Sequence, residues 1–290
     1  MKIAFLGSES GWYFHDLQRV CSGQHQLIPV EFESLATDLG DGHSQVWFAE
    51  QNANDFDLVL VRVMPPGSLE QVVFRMDALL ELQHNGTKVM NGPKTIEAAV
   101  DKYLCLAKLS RAGIPVPPTR TCENLEQAID LFDQFAGDVL LKPLFGGEGR
   151  GIVRINDRDL LYRSLRAIET FRGVIYLQKF IQHAGFDLRI FVLGDEVFAM
   201  KRQTDGKWKT NISAGAIGSA YTPTDEEISL GRQAAKAIDA TIAGVDIIRD
   251  AGGAPYVLEV NAVPGWKGLA QATGIDIAER VIKFLDLNNC

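Results

Sequence analysis

Two acids and an amide in the C-terminal part of the chain have the spacing of a cation site. The runs Gly244-Val245-Asp246-Ile247-Ile248-Arg249 and Tyr256-Val257-Leu258-Glu259-Val260-Asn261-Ala262 flank Ala251-Gly252-Gly253-Ala254, which reads as a β-hairpin. Side chains alternate along a strand, so Val257, Glu259 and Asn261 are expected on one face and Tyr256, Leu258 and Val260 on the other. A turn centred on Gly252-Gly253 sets Asp246 opposite Glu259. Like charges paired across strands destabilise a sheet. A divalent cation removes that repulsion, and two carboxylates with the Asn261 amide oxygen are hard donors suited to Mg2+. The competing account is a solvated sheet face, with Asn261 opening a turn.

A glycine-rich loop, Gly146-Gly147-Glu148-Gly149-Arg150-Gly151, joins two apolar runs. It fits neither a dinucleotide fingerprint nor a Walker loop. Its glycines would let backbone N–H groups approach an anion, or would make a mobile flap; an ordinary flexible hairpin loop explains them as well. Lys142 stands just before it on an apolar strand, and Lys102, Arg189 and Arg202 also lie in apolar surroundings. Each alone fits a surface cation or a structural ion pair. Together, beside a candidate metal pair, they suggest a polyphosphate cradle. His15, His25, His43, His84 and His183 are scattered and read as surface or loop positions. Neither G-x-S-x-G nor a Cys–His pairing supports covalent nucleophilic catalysis.

Elements must position these groups. In residues 1–93, apolar runs at 3–6 and 58–63 and a brief strand at Val89-Met90 alternate with helical patterning at 12–20 and from Ser68 to Gly86. That alternation predicts a small parallel sheet with flanking helices. Residues 94–181 begin with helical patterning over 94–109. A helix over 125–135, strands over 139–142 and 152–155, a helix over 158–171 and a strand over 174–178 follow. Residues 182–290 hold a hairpin (187–193 and 196–202), a helix over 225–239, the acid-bearing hairpin and a helix over 275–285. The fold class is α/β, an α+β composite of three parts.

Composition narrows the function classes. With 37 acidic residues against 29 Lys plus Arg the formal charge is −8, which argues against nucleic acid or an anionic membrane as the main partner. At 46% hydrophobic residues, 290 residues can bury a sizeable core. Cys21, Cys105, Cys122 and Cys290 form no C-x-x-C, which fits a reducing compartment better than a zinc site. The start is too short for a signal-peptide core, and no run approaches the roughly 18 apolar residues of a membrane span. The expected location is cytoplasmic, with no nucleic acid and no membrane partner.

The motifs converge on a family. Asn91-Gly92-Pro93, Asp101-Lys102, Leu141-Lys142-Pro143 with the 146–151 loop, Gln178-Lys179-Phe180-Ile181, Asp187-Leu188-Arg189, Lys209-Thr210-Asn211, Gly244-Val245-Asp246 and Glu259-Val260-Asn261-Ala262-Val263-Pro264-Gly265 resemble the ATP-grasp superfamily. Within it they are similar to the RimK-type α-L-glutamate ligases. The resemblance runs in order from about residue 90 to the end. It implies an ATP-grasp fold: an N-terminal pre-grasp Rossmann-like domain (1–93), a central lid-bearing domain (94–181) and a C-terminal domain (182–290). It further implies ATP and Mg2+ as cofactors, with Mn2+ as an alternative ion, and a homo-oligomer, dimer or tetramer.

By that resemblance Lys102 and Lys142 contact ATP phosphates, and the loop carrying Gly146, Gly147, Gly149 and Gly151 closes over them. Gln178, Lys179, Phe180 and Ile181 form the adenine hinge; Asp187 lies toward the ribose, with Arg189 beside it. Arg202 and Asn211 sit near the γ-phosphate and the reacting carboxylate, and Asp246, Glu259 and Asn261 bind the metal. The implied reaction joins a small-molecule carboxylate to an amine through an acyl phosphate. A glutamate ligase that modifies a protein C-terminus and a non-catalytic ATP-binding module are the alternatives. Retention of both lysines, Arg202 and the metal set speaks against the latter.

Two departures stand out. Where the family often has a basic residue and paired glycines, this chain has Asn211-Ile212-Ser213-Ala214-Gly215-Ala216. The arginine absent at Ala214 either changes the incoming amine from glutamate or moves its recognition elsewhere. The hinge carries Lys179 where an acid is common. In the N-terminal part, Trp12 and Arg62 follow strands at the edge where an α/β sheet binds ligands. Their surroundings, with residues 263–269, are similar to RimK-type ligases of tetrahydromethanopterin-dependent one-carbon metabolism. There Trp12 would stack on a planar ring and Arg62 would hold a carboxylate; a core Trp and a structural Arg are the plainer roles.

Overall fold

The computed structural model describes every residue except 22, 148, 207, 212–214 and 289–290. Glu148 of the glycine loop, the Ala214 departure and Cys290 therefore lie outside the described residues. In chain order the first elements are β1 (Lys2–Leu6), α1 (Trp12–Val20), β2 (Gln26–Val30), β3 (Leu35–Gly40), β4 (His43–Phe48), β5 (Gln51–Asn52), β6 (Leu58–Val61), α2 (Leu69–His84) and β7 (Lys88–Met90). Strands β1, β2, β6 and β7 form a parallel sheet in the order β2-β1-β6-β7. A capping box between Ser68 and Gln71 starts α2. The antiparallel meander β3-β4-β5 was not expected; its first turn uses Asp41 and Gly42, both at positive φ.

The middle of the chain contributes α3 (Pro93–Val100), α4 (Lys102–Arg111), β8 (Thr119–Cys122), α5 (Leu125–Gln134), β9 (Val139–Lys142), β10 (Val153–Ile155), α6 (Arg158–Thr170) and β11 (Ile175–Lys179). The four strands form an antiparallel sheet, β10-β9-β11-β8. Helices α5 and α6 cover one face, burying Leu131, Phe132, Leu161 and Leu165 against Val139, Leu141, Ile155 and Leu177. The helix expected over 94–109 is two helices. Asp101 breaks it by taking an extended backbone and accepting from the Leu104 N–H as the N-cap of α4.

The last third holds β12 (Phe186–Leu193), β13 (Glu196–Gln203), β14 (Ile217–Ala220), α7 (Asp225–Ala237), β15 (Ile242–Arg249), β16 (Pro255–Asn261), α8 (Lys267–Thr273) and α9 (Ile277–Leu287). Its five strands form an antiparallel sheet, β14-β13-β12-β15-β16. One face packs on α4 and α7 through Leu106, Leu109, Leu230, Ala234, Val245 and Val260. Toward the N-terminal sheet, a shared core joins Phe5 and Leu60 to Trp266, Val281 and Leu285 of the C-terminal segment. That core fixes the loop after β16 against the carboxyl end of the parallel sheet. Among the described residues no helix is long and apolar enough to cross a membrane.

Candidate active site

A cleft of about 680 Å³, counting its open mouth, lies between the central sheet and the five-stranded sheet. Its walls are apolar: Leu140 and Ile152 on one side, Ile248 and Leu258 on the other. Its floor is polar and carries Lys142, Gln178, Asp187, Asn211, Asp246 and Glu259. Such a mixture of apolar walls and convergent polar groups is typical of small-molecule sites.

Asp246 pairs with Glu259 across β15 and β16. The route to that register differs from the simple hairpin. Arg249 pairs with Pro255, so the loop closes around Gly252, and a β-bulge at Leu258 restores the register. The bulge also changes the faces. Val257 and Val260 both enter the core on the far side, while Leu258 and Glu259 both line the cleft. The expected grouping of Val257 with Glu259 therefore fails, because the extra residue breaks the alternation.

The acids sit in a lattice of opposite charges built by strand pairing. Asp187 stands opposite Arg202, and Arg189 stands opposite Asp246. Arg202 grips Asp187 with two bonds of 2.7 Å and reaches Asp246 at 2.8 Å. Thr210 donates to Asp187 at 2.6 Å. Arg189 lies 2.6 Å from Asp246 Oδ1, off the hydrogen-bond line, and donates to Oδ2 at 3.2 Å. Burial would raise the Asp246 carboxyl, but Arg189 and Arg202 outweigh it and hold it below the usual carboxylate range. Burial and the neighbouring Asp246 push Glu259 up; Arg189, Lys142 and Lys102 offset this only in part. Burial also raises Asp187 despite Arg202.

These donors suit a hard divalent cation. Asp246 Oδ1 is buried with no hydrogen-bond donor. Glu259 faces it as a second carboxyl, pushed toward the protonated form. Asn261 stands across from Gly244, and its amide oxygen accepts a single bond, 2.9 Å, from the Val263 N–H. Among the described residues no three His, Cys, Asp or Glu side chains cluster at metal distance, so the third protein donor would be an amide oxygen.

The lysines approach from the other sheet. Lys142 is buried and donates to Gln178 at 2.6 Å. Burial pulls its ammonium down to about 8, although Glu259 favours the charged form. Lys102 opens α4 beyond the Asp101 cap, and its Nζ donates to the Gly146 carbonyl at 2.6 Å. Burial lowers Lys102 as well. Gly149 lines the cleft at a φ of +71°, where a Cβ would stand 2.6 Å from Asn211 Oδ1. The other loop glycines, 146, 147 and 151, do not line it.

The hinge is an aromatic corner. Lys179 and Phe180 spend their N–H groups on Pro118 and Asp138, while no backbone acceptor among the described residues takes the Ile181 N–H. The Arg154 guanidinium lies 3.6 Å over the Phe180 ring and is itself held by two bonds to Asp138. Trp208 and His183 pack beside Phe180 and line the cleft. His183 stands in the loop between β11 and β12, as expected of a loop position, but it lines the cleft; burial lowers its pKa. Trp208, Ile248 and Leu258 escaped sequence reasoning, since none carries a sequence signal apart from its tertiary neighbours; Thr210 lies in the Lys209-Thr210-Asn211 motif but had no role assigned. Trp12 and Arg62 lie outside this cleft, against residues 264–267.

Comparison with known proteins gives the same direction. The profile described as "RimK-like ATP-grasp domain" matches residues 99–285. A tetrahydromethanopterin:alpha-L-glutamate ligase of Methanosarcina acetivorans is 33% identical over 261 residues, covering 80% of each chain. Its counterpart in Methanococcus maripaludis is 31% identical over 288 residues, covering 97% of each. Among solved structures, the ATP-grasp ligase PsnB complexed with minimal precursor, Mg and ADP superposes with a TM-score of 0.76 at 21% identity. That alignment covers 99% of this chain and 97% of the other, a likeness of fold.

Proposed function

The chain belongs to the RimK-like ATP-grasp family of carbon–nitrogen ligases, and on that premise we propose that it adds an amino acid, glutamate foremost, to the carboxylate of a small cofactor or cofactor precursor. The observation that carries this reading is the facing pair of a buried Asp246 and a half-buried Glu259, with Arg189, Arg202, Lys142 and Lys102 around it at the floor of the cleft.

In this reading Leu140, Ile152 and Leu258 would hold the base of ATP, the Ile181 N–H would be a donor available to it, and Lys142 and Lys102 would hold the phosphates. Asp187, itself held by the Thr210 hydroxyl, accepts two bonds from Arg202 and fixes its guanidinium before substrate arrives, so little reorganisation is needed. A carboxylate oxygen of the acceptor attacks the γ-phosphorus, ADP leaves, and an acyl phosphate forms. The amine nitrogen then attacks the acyl carbon; phosphate leaves and the nitrogen gives up a proton. Asp246, Glu259 and Asn261 would hold Mg2+, or Mn2+ in its place, whose charge would offset that of the phosphates. The Gly149 approach to Asn211 supports a loop that closes over the phosphates and keeps water from the acyl phosphate.

The test is ADP release in the presence of Mg2+, L-glutamate and candidate acceptors, tetrahydromethanopterin first, with the product read by mass spectrometry. The expected result is ADP formed only with both co-substrates and an acceptor heavier by one glutamyl residue. Absence of ADP release across amines and acceptors would reject the ligase assignment.

A further inference from the structure

Arg62 is a buried cation without an anion. It follows β6 at the carboxyl end of the parallel sheet, and only 8% of it is exposed. Its Nη2 donates to the Pro264 carbonyl at 2.6 Å, and its guanidinium lies 4.3 Å from the Trp266 ring and 5.3 Å from the Tyr13 ring. Its Nε is buried with no partner. Among the described residues no carboxylate pairs with it. Burial alone pulls its pKa down to about 10, with only the Tyr13 hydroxyl acting in the other direction.

Two other arginines are buried. Arg202 has Asp187 and Asp246. Arg75 donates to the Pro65 carbonyl and lies 5.4 Å from the Phe32 ring, but unlike Arg62 it has no buried nitrogen left over. A carbonyl and two ring faces offset part of the charge on Arg62, but a buried charge is normally matched by a counter-ion. At the ligand-binding edge of an α/β sheet, an anion from outside can supply the missing counter-ion.

The position is also right. Pro264 lies three residues beyond Asn261 in sequence. A Cβ at Gly244 would stand 3.0 Å from Pro264 Cβ and 2.4 Å from Arg189 Nη1. Pro264 thus stands between Arg62 and the charge lattice around Asp246. At the rim, Trp12 is 37% exposed, packs edge-on against Tyr13 and carries the Lys267 ammonium 5.6 Å from its ring. The rim is therefore aromatic and cationic.

We infer that Arg62 binds a carboxylate that does not react: a second acid group on a substrate whose chemistry takes place beside Asp246 and Glu259. This rests on the ligase reading above. The group comes either from the acceptor or from the amino acid that supplies the amine. In both cases one substrate is at least dianionic, or a zwitterion with a free carboxylate, and spans from the rim past Pro264 to the metal pair.

Two measurements decide it. The first needs no turnover. Wild type and Arg62→Met are heated with Mg-ATP and increasing glutarate or L-glutamate, against chloride at equal ionic strength. The expected result is a Tm that rises with a carboxylate probe in wild type and stays flat in the variant. An equal rise in both proteins, or none in wild type, overturns the assignment. Arg62→Lys, which keeps the charge and a donor to Pro264, replaces Arg62→Met if that variant fails to fold; it should bind the probe more weakly than wild type, and equal binding also overturns the proposal.

The second uses whichever acceptor and amine support ADP release. Arg62→Met should raise KM for one carboxylate substrate roughly 10- to 100-fold, the loss of one charge-assisted pair, with KM for ATP within about twofold. The substrate affected is the source of the carboxylate. Unchanged KM for both, or an equal loss for ATP, assigns Arg62 a structural role only. If wild type releases no ADP with any pair, the ligase reading fails, and the thermal titration still judges Arg62.

Discussion

Asp246 and Glu259 face each other across a bulged hairpin, and their environments push them in opposite directions. Asp246 is held ionised by Arg189 and Arg202; Glu259 is pushed toward the protonated form by burial and by Asp246 itself. The pair resembles two carboxylates that share a site while awaiting a third charge.

Glu259→Gln keeps the shape and removes the like charge. Turnover should fall by roughly 100-fold or more, the scale of losing one preorganised electrostatic group. Stability should not fall, because the mutation relieves repulsion with Asp246. ADP-release assays and thermal melts check both; full activity in the variant rejects a metal role for Glu259.

Lys142 gives a pH signature. In the free protein its ammonium is pulled down to about 8, while bound phosphates favour the charged form. The KM for ATP should be flat below about pH 8 and rise up to tenfold per pH unit above it. Linkage to stability has its own sign. The folded pKa is depressed, so the unfolded chain binds more protons between about 8 and the ordinary lysine value, and this group's contribution to stability rises with pH over that window. Lys142→Met should remove both dependences and weaken ATP binding about 10- to 100-fold.

Arg202→Met strips the partner from two buried acids. The expected loss is about 3–5 kcal/mol of stability in urea unfolding, since Asp187 and Asp246 would remain buried with less compensation. Adding Asp187→Asn should recover part of it. A neutral single variant would show that the charge lattice is not what holds these strands in place.

Gly149→Ala tests the loop. The new methyl would meet Asn211 at a backbone angle that L-residues avoid. Turnover should drop about tenfold or more while the melting temperature moves little, because the residue lies in a loop over the cleft. Unchanged kcat would detach the loop from the chemistry.

Much of this site was legible in the sequence because the acids are close in the chain. The Asp246–Glu259 pairing needed only a hairpin and a turn. Yet the turn centres on Gly252, half a residue from the Gly252-Gly253 midpoint, and the bulge at Leu258 restores the register; this is why the pairing follows the sequence pattern and the face of Val257 does not. The break at Asp101 had a local cause, an Asp able to cap, but continuous helical spacing masked it. The Asp41-Gly42 hairpin likewise carried a turn signal among strands too polar to stand out. Trp208 and His183 had no such signal: they reach the cleft only because two sheets fold together.

The central claim is that Asp246, Glu259 and Asn261 together hold a divalent cation beside ATP. Titration of Mn2+ followed by electron paramagnetic resonance, in the presence of ATP, tests it most directly. Wild type should quench the free-ion signal with one tight site per chain, and Glu259→Gln and Asp246→Asn should each weaken that site at least tenfold while still folding. Equal Mn2+ binding by wild type and both variants would contradict the account.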